Sequence, residues 1–199
     1  MNNAKIKDIR KKQILEAAMK VFTSKGYESS RIDDIVDISG MSKGAIYHHY
    51  SSKKELFLEL IDVWEIQTFP KFYSKGRGDK TATQIIIDFS KEVINVYKNK
   101  RYLFLAEIEF WAMANRDKEV RVRSNDLYNK ILNLFMLVIN KGIRDGEFKD
   151  INAKPYSIVL LSLFNGINWF SIFKSKDVDP GSYIKLSVEM FIQKIKIEV

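Results

Sequence analysis

The stretch Ser42-Lys-Gly-Ala-Ile-Tyr-His-His-Tyr50 places a hydroxyl, a cation and several polar-tipped rings within one short segment. Ser42 and Lys43 stand at what reads as a helix N-terminus, whose free N–H groups and positive dipole end suit phosphate. Gly44 falls in the first turn, where glycine costs about 1 kcal/mol relative to alanine. Without a side chain there, the helix end can press against another surface. Tyr47, His48 and His49 add three rings one to two turns further on. Lys53 and Lys54 open the next helix, a second N-terminus able to meet backbone phosphate. Ala45, Ile46 and Tyr50 can anchor the segment to its own domain. Two readings fit: a surface helix whose aromatic edge packs on a neighbour, and a helix presented to DNA. A metal reading of His48-His49 fails. Adjacent residues point to different helix faces, and the chain has no further His and no Cys to complete a site. No metal or other cofactor is expected.

Helical spacing of apolar residues sets the elements that must hold this segment. Ile6, Ile9, Ile14, Ala17, Ala18, Val21 and Phe22 form one helical face, and Gly26 reads as its stop. A short second helix begins at Ser30 with Asp33 as its capping-box partner, turns Ile32, Ile35, Val36 and Ile38 inward and ends at Gly40. The turn Ser39-Gly40-Met41 leads to a third helix from Ser42 to about His49, giving helix-turn-helix proportions. The fourth opens on the capping box Ser52-Lys-Lys-Glu55, carries Leu56, Phe57, Leu60, Ile61 and Trp64 on one face, and kinks or ends at Pro70. Ser74–Lys80 reads as a loop. Further helices fall at about 81–99, 101–115, 118–145, 154–174 and 181–197. No strand pattern is convincing, so the fold class is all-α.

Composition narrows the function classes. The absence of cysteine excludes a disulfide framework and fits a reducing, cytoplasmic setting. The opening MNNAKIKDIRKKQ has no apolar stretch behind its charges and does not read as a secretory signal. A net charge of +8 permits a polyanionic partner. It does not locate one, since residues 1–60 carry 11 basic and 8 acidic side chains and the rest of the chain is equally mixed. An all-α enzyme finds little support: there is no Gly-rich phosphate loop and no pair of carboxylates at catalytic spacing.

Residues 10–60 closely resemble the TetR family of bacterial regulators. The resemblance rests on Ile14-Leu15-Glu-Ala-Ala18, Val21-Phe22, Lys25-Gly26-Tyr27, Asp34-Ile35, Gly40-Met-Ser-Lys-Gly-Ala-Ile-Tyr-His48, Tyr50 and Ser52-Lys-Lys-Glu-Leu56. It implies a helix-turn-helix DNA-binding domain over residues 1–52, with an effector-binding and dimerising helical domain over 53–199. By the same resemblance Ser42, Lys43, Gly44, Ala45, Tyr47, His48 and His49 meet the major groove and its flanking phosphates. Lys53 falls on a phosphate-binding position. His48, Lys43 and Ala45 are the candidates for base edges. Where the family often has paired Thr, this chain has Ser30-Arg31; Ser30 can cap and meet phosphate, and Arg31 adds a charged contact. The implied function is a ligand-responsive repressor, binding double-stranded operator DNA as a homodimer. A ligand-binding or adaptor protein without specific DNA binding, and an activator, are the alternatives.

Beyond residue 60 the sequence offers patterning rather than motifs. Residues 181–197 show two apolar faces, one with Ile184, Val188, Phe191, Ile192 and Ile195, the other with Tyr183, Leu186, Met190 and Ile197. Two faces imply two partners, the domain core and a second subunit. Tyr156–Phe173 is an 18-residue run without charge, long enough to span a membrane. Asn165 and Asn168 near its centre argue instead for a buried bundle and dimer helix. A small-molecule pocket is expected among Trp64, Phe104, Phe110, Trp111, Tyr128, Asn165 and Trp169, with Phe135 and Phe164 in the same aromatic set. Glu107 and Glu109 sit in an apolar helix. They cannot share a face, and whichever turns inward beside aromatic rings would suit a cationic, apolar effector.

Overall fold

The computed structural model describes residues 3–70, 80–173 and 177–197, with side chains from Ile6 onward. The described residues form ten helical segments: α1 (Asn3–Lys25), α2 (Ile32–Ser39), α3 (Lys43–His49), α4 (Lys53–Thr68), α5 (Ala82–Lys100), α6 (Tyr102–Ala114), α7 (Lys118–Arg144), α8 (Ala153–Asn165), α9 (Ile167–Phe173) and α10 (Pro180–Ile195). The fold is all-helical. Of the loop expected at Ser74–Lys80, all but Lys80 lies outside the described residues.

Packing divides the chain into two units, Met1–Trp64 with Leu105–Asn125, and Glu65–Phe104 with Asp126–Val199. In the first, Ile14, Ala18, Val21, Ile35, Ile46, Leu56 and Ile61 are buried as their helical spacing requires. Edge-on rings tie α1, α4 and α6 together, Phe57 lying 5.4 Å from Phe22 and 5.5 Å from Phe110. Gly26 and Gly40 end α1 and α2 with φ of 76° and 68°, left-handed conformations that a Cβ disfavours. The α2 start differs from expectation by one residue. Arg31 occupies the cap, with its N–H donating to Asp34 at 2.8 Å. The Ser30 hydroxyl is engaged elsewhere, donating to the Gly26 carbonyl at 2.6 Å.

In the second unit Phe89, Phe135 and Phe164 form a mutual aromatic core at 4.8–5.7 Å. Glu147 caps α5 from far along the chain, accepting from the N–H groups of Ala82 at 2.7 Å and Thr83 at 3.1 Å. The single helix expected over 154–174 is broken at Gly166 into α8 and α9. Gly166 leaves room for the Tyr183 ring, and the Tyr183 hydroxyl donates to the Leu163 carbonyl at 3.0 Å. A side chain that competes for a ladder carbonyl is a recognised cause of kinks.

Candidate nucleic-acid interface

The Ser42 hydroxyl caps α3 by accepting from the Ala45 N–H at 3.2 Å, so this helix starts where the sequence places it. Ile46 and Tyr50 are buried and Ala45 is half-buried, which fixes the inward face. Ser42, Lys43, Gly44, Tyr47 and His48 are exposed, and His49 is half-buried. Among the described residues, nothing beyond the helix's own backbone and Gly44's neighbours lies within 4 Å of where a Gly44 side chain would begin, so the packing described in the first unit does not require glycine there. The side chains singled out by type are therefore presented together on one short helix.

Charge around this face is partly organised by the protein itself. Lys43 pairs with Asp33 of α2 at 2.8 Å, and that hydrogen-bonded pairing pushes the Lys43 ammonium up from its usual pKa. Arg31 is exposed at the head of α2. Burial lowers the His49 imidazole below its usual value, and the charges of His48, Lys7, Lys11 and Arg10 lower it further. The α1 arm thus lies within electrostatic reach of α3. Two expected phosphate ligands are differently engaged. Ser30 is buried with its hydroxyl on Gly26. The Lys53 ammonium donates to the carbonyls of Tyr27 at 2.7 Å and Ser30 at 2.8 Å.

Residues 14–60 match the family model of bacterial regulatory proteins of the tetR family, and residues 71–188 match the C-terminal region of QacR-like proteins. The chain belongs to the TetR family. It is a DNA-binding transcriptional regulator of a non-enzymatic family, with a helix-turn-helix followed by a helical C-terminal region. A Bacillus subtilis relative, the HTH-type transcriptional regulator YfiR, is 25% identical over 193 residues, covering 95% of this chain and 93% of its own. A regulator from Saccharomonospora viridis, solved in complex with choline, superposes with a TM-score of 0.77 at 20% identity, covering 94% of this chain and 98% of that one. FadR of Bacillus subtilis, solved with stearoyl-CoA, gives 0.77 at 18% identity, covering 90% and 96%.

The pocket residues expected for this TetR-family regulator are distributed over both units. Trp64, Glu107, Phe110 and Trp111 belong to the first, and Phe104, Tyr128, Asn165 and Trp169 to the second. Trp64 and Phe110 pack edge-on at 6.4 Å within the first core, and Glu107 is buried in the same unit. Phe104 is buried and Asn165 half-buried, whereas Trp111, Tyr128 and Trp169 are exposed. A surface cleft of about 470 Å³ in the first unit is lined by none of these residues. Its rim carries the pairs Lys11–Glu59 at 2.5 Å, Lys54–Asp117 at 2.8 Å and Arg123–Asp62, so its charges largely neutralise one another.

One carboxylate, Glu65, escaped the sequence reading, and the partner of another, Glu109, was not foreseen. Glu65 of α4 is buried in the second unit and pairs with Lys130 at 3.3 Å. It interrupts the i, i+4 apolar track Ile61–Glu65–Phe69, a signal present in the sequence. Glu109 of α6 accepts from the Tyr27 N–H at 3.2 Å, a partner separated from it by 82 residues that no local pattern announces.

Proposed function

We propose that this regulator is a homodimeric, ligand-responsive repressor whose two α3 helices enter successive major grooves of a near-palindromic operator. The observation that carries the reading is the set Ser42, Lys43, Gly44, Tyr47 and His48, solvent-facing on a helix held by Ile46 and Tyr50. Most of these side chains suit phosphate and would fix register, while His48, Lys43 and Ala45 are placed for base edges. A two-fold dimer puts the reading helices about 34–36 Å apart, one DNA turn.

The subunit face is assigned to α8–α9 and α10. On α10 the core side, Ile184, Val188, Phe191 and Ile195, is buried, while Leu186 and Met190 on the opposite side are 59% and 62% exposed. Val159, Trp169 and Phe173 leave a second apolar strip on α8–α9. Apolar area of this kind on one chain favours a second copy over water. A small-molecule effector is assigned to the helical C-terminal region. The buried carboxylate of Glu107, in the aromatic-rich helix α6, suits a cationic head on an apolar body. Such an effector releases DNA only if it binds the DNA-incompetent conformer more tightly.

The test is enrichment of duplexes from random-sequence DNA by the purified chain, followed by affinity measurements across salt concentrations. We expect a two-fold symmetric site with half-sites one turn apart and an affinity that falls steeply with salt. His48→Ala should relax base preference at one position per half-site, where a good base contact contributes about 1–3 kcal/mol of discrimination. Equal binding of all duplexes by the wild-type chain would overturn the reading. A promoter fusion whose output rises when the site is occupied would replace repression by activation.

A further inference from the structure

The loop joining α1 to α2 is held by two side chains from distant parts of the chain, both within the first unit. Lys53, the first residue of α4, donates through Nζ to the carbonyls of Tyr27 at 2.7 Å, Ser30 at 2.8 Å and Glu28 at 3.3 Å. The same ammonium stands 4.3 Å from the centre of the Tyr27 ring. An ammonium has three donors, so these carbonyls account for all of them. From α6, Glu109 accepts from the Tyr27 N–H at 3.2 Å. Both main-chain polar groups of Tyr27 are thereby bound by side chains remote in sequence. Its ring is locked as well, 5.6 Å from Phe22 and 4.6 Å from Phe57.

The loop leads directly into the surface that faces DNA. Ser30 closes it through its bond to Gly26, and Arg31 heads α2, which carries Asp33 and its partner Lys43 of α3. A displacement of Tyr27 or Ser30 would therefore move Arg31 and the turn that leads to α3. The phosphate contact expected for Lys53 competes with this role. Reaching a phosphate would take donors from loop carbonyls, and leaving main-chain groups near a core unpaired destabilises the loop.

We propose that Lys53 and Glu109 are positioning residues for DNA binding: together they fix the α1–α2 loop, and Lys53 does so without donating to phosphate. The proposal rests on the docking of α2 and α3 described under Proposed function. It assigns to Glu109, a residue of α6, an influence on operator affinity that no contact with DNA supplies.

The experiment uses the full chain, the duplex it enriches from random DNA, and an unrelated duplex of equal length. Affinity is measured between about 50 and 200 mM salt, where each phosphate contact contributes a slope of about 0.9. Lys53→Gln keeps an N–H donor for the carbonyls but removes the charge, and should change the slope by less than about half a contact. Glu109→Ala should weaken the enriched duplex at least about tenfold with the slope unchanged, because ordering of the site is lost and no phosphate contact. Glu109→Gln, whose amide oxygen still accepts from Tyr27, should restore wild-type affinity. Hydrogen exchange adds a measurement that needs no variant: the Tyr27 amide should be protected in the folded wild-type chain. A slope reduced by a full contact in Lys53→Gln, wild-type affinity in Glu109→Ala, failure of Glu109→Gln to restore affinity, or a freely exchanging Tyr27 amide would each overturn the positioning role. Thermal unfolding of each variant separates lost binding from lost fold. Failure to enrich any duplex would instead overturn the docking reading, and the proposal with it.

Discussion

His49 carries a charge that depends on its surroundings. Its imidazole titrates below the usual value of 6.5, first because burial disfavours the charged form, then because His48, Lys7, Lys11 and Arg10 repel an added proton. The unfolded chain therefore binds the proton more readily than the folded one. Stability should hold above about pH 6.5 and decline as pH falls through that value towards the lower folded one. DNA reverses the sign locally, because phosphates brought to α3 and the α1 arm offset the surrounding positive charge. We expect complex formation to take up a proton, so that operator affinity rises as pH falls over the same window. Anisotropy titrations across that range test this, and His49→Gln should remove its share of the pH dependence. The opposite slope would show that His49 lies away from phosphate.

At the scale of elements, side chains packed from elsewhere decide where helices bend and what they tolerate. Gly142 lies within α7, where replacing glycine by alanine ordinarily stabilises by about 1 kcal/mol. Here an added methyl would overlap the ring of Phe148, itself buried. We expect Gly142→Ala to destabilise by about 1–3 kcal/mol, the usual cost of overpacking, and to lower the unfolding midpoint. An unchanged or raised midpoint would show that the ring can move aside. The same distinction between local and remote determinants explains what the sequence reading could reach. Helix positions followed from 3.6-residue periodicity, and the exposed polar set on α3 from the residue types around Gly44, because those signals are local. The break at Gly166 depends on Tyr183, and the α2 cap moved because the Ser30 hydroxyl prefers the Gly26 carbonyl. The roles of Lys53 and Glu109 rest on partners 23–26 and 82 residues away, which no spacing rule encodes. The pocket was the least legible part, since aromatic residues serve cores and ligand sites alike, and much of the aromatic set proves to be core.

For the whole molecule, the outer side of α10 is the feature with the largest consequence. The two-fold operator proposed above demands two copies, and Leu186 and Met190 offer apolar area that a single chain leaves in water. Leu186→Glu should leave the monomer fold intact, since the residue is 59% exposed, and should shift the oligomeric state measured by light scattering towards monomer. Operator affinity should fall with it, because each half-site then binds alone. A dimer that survives this substitution would move the subunit face elsewhere. The exposed strip on α8–α9 gives the same event an optical signature. Trp169, 66% exposed, stacks on Phe173 at 5.1 Å, whereas Trp64 is buried and Trp111 lies in the other unit. A Trp111→Phe variant leaves Trp64 as a buried reference and Trp169 as the emitter that changes its solvent. Its emission should shift to shorter wavelength as protein concentration rises and lose access to iodide quenching, so assembly can be followed by light alone, without DNA, effector or label.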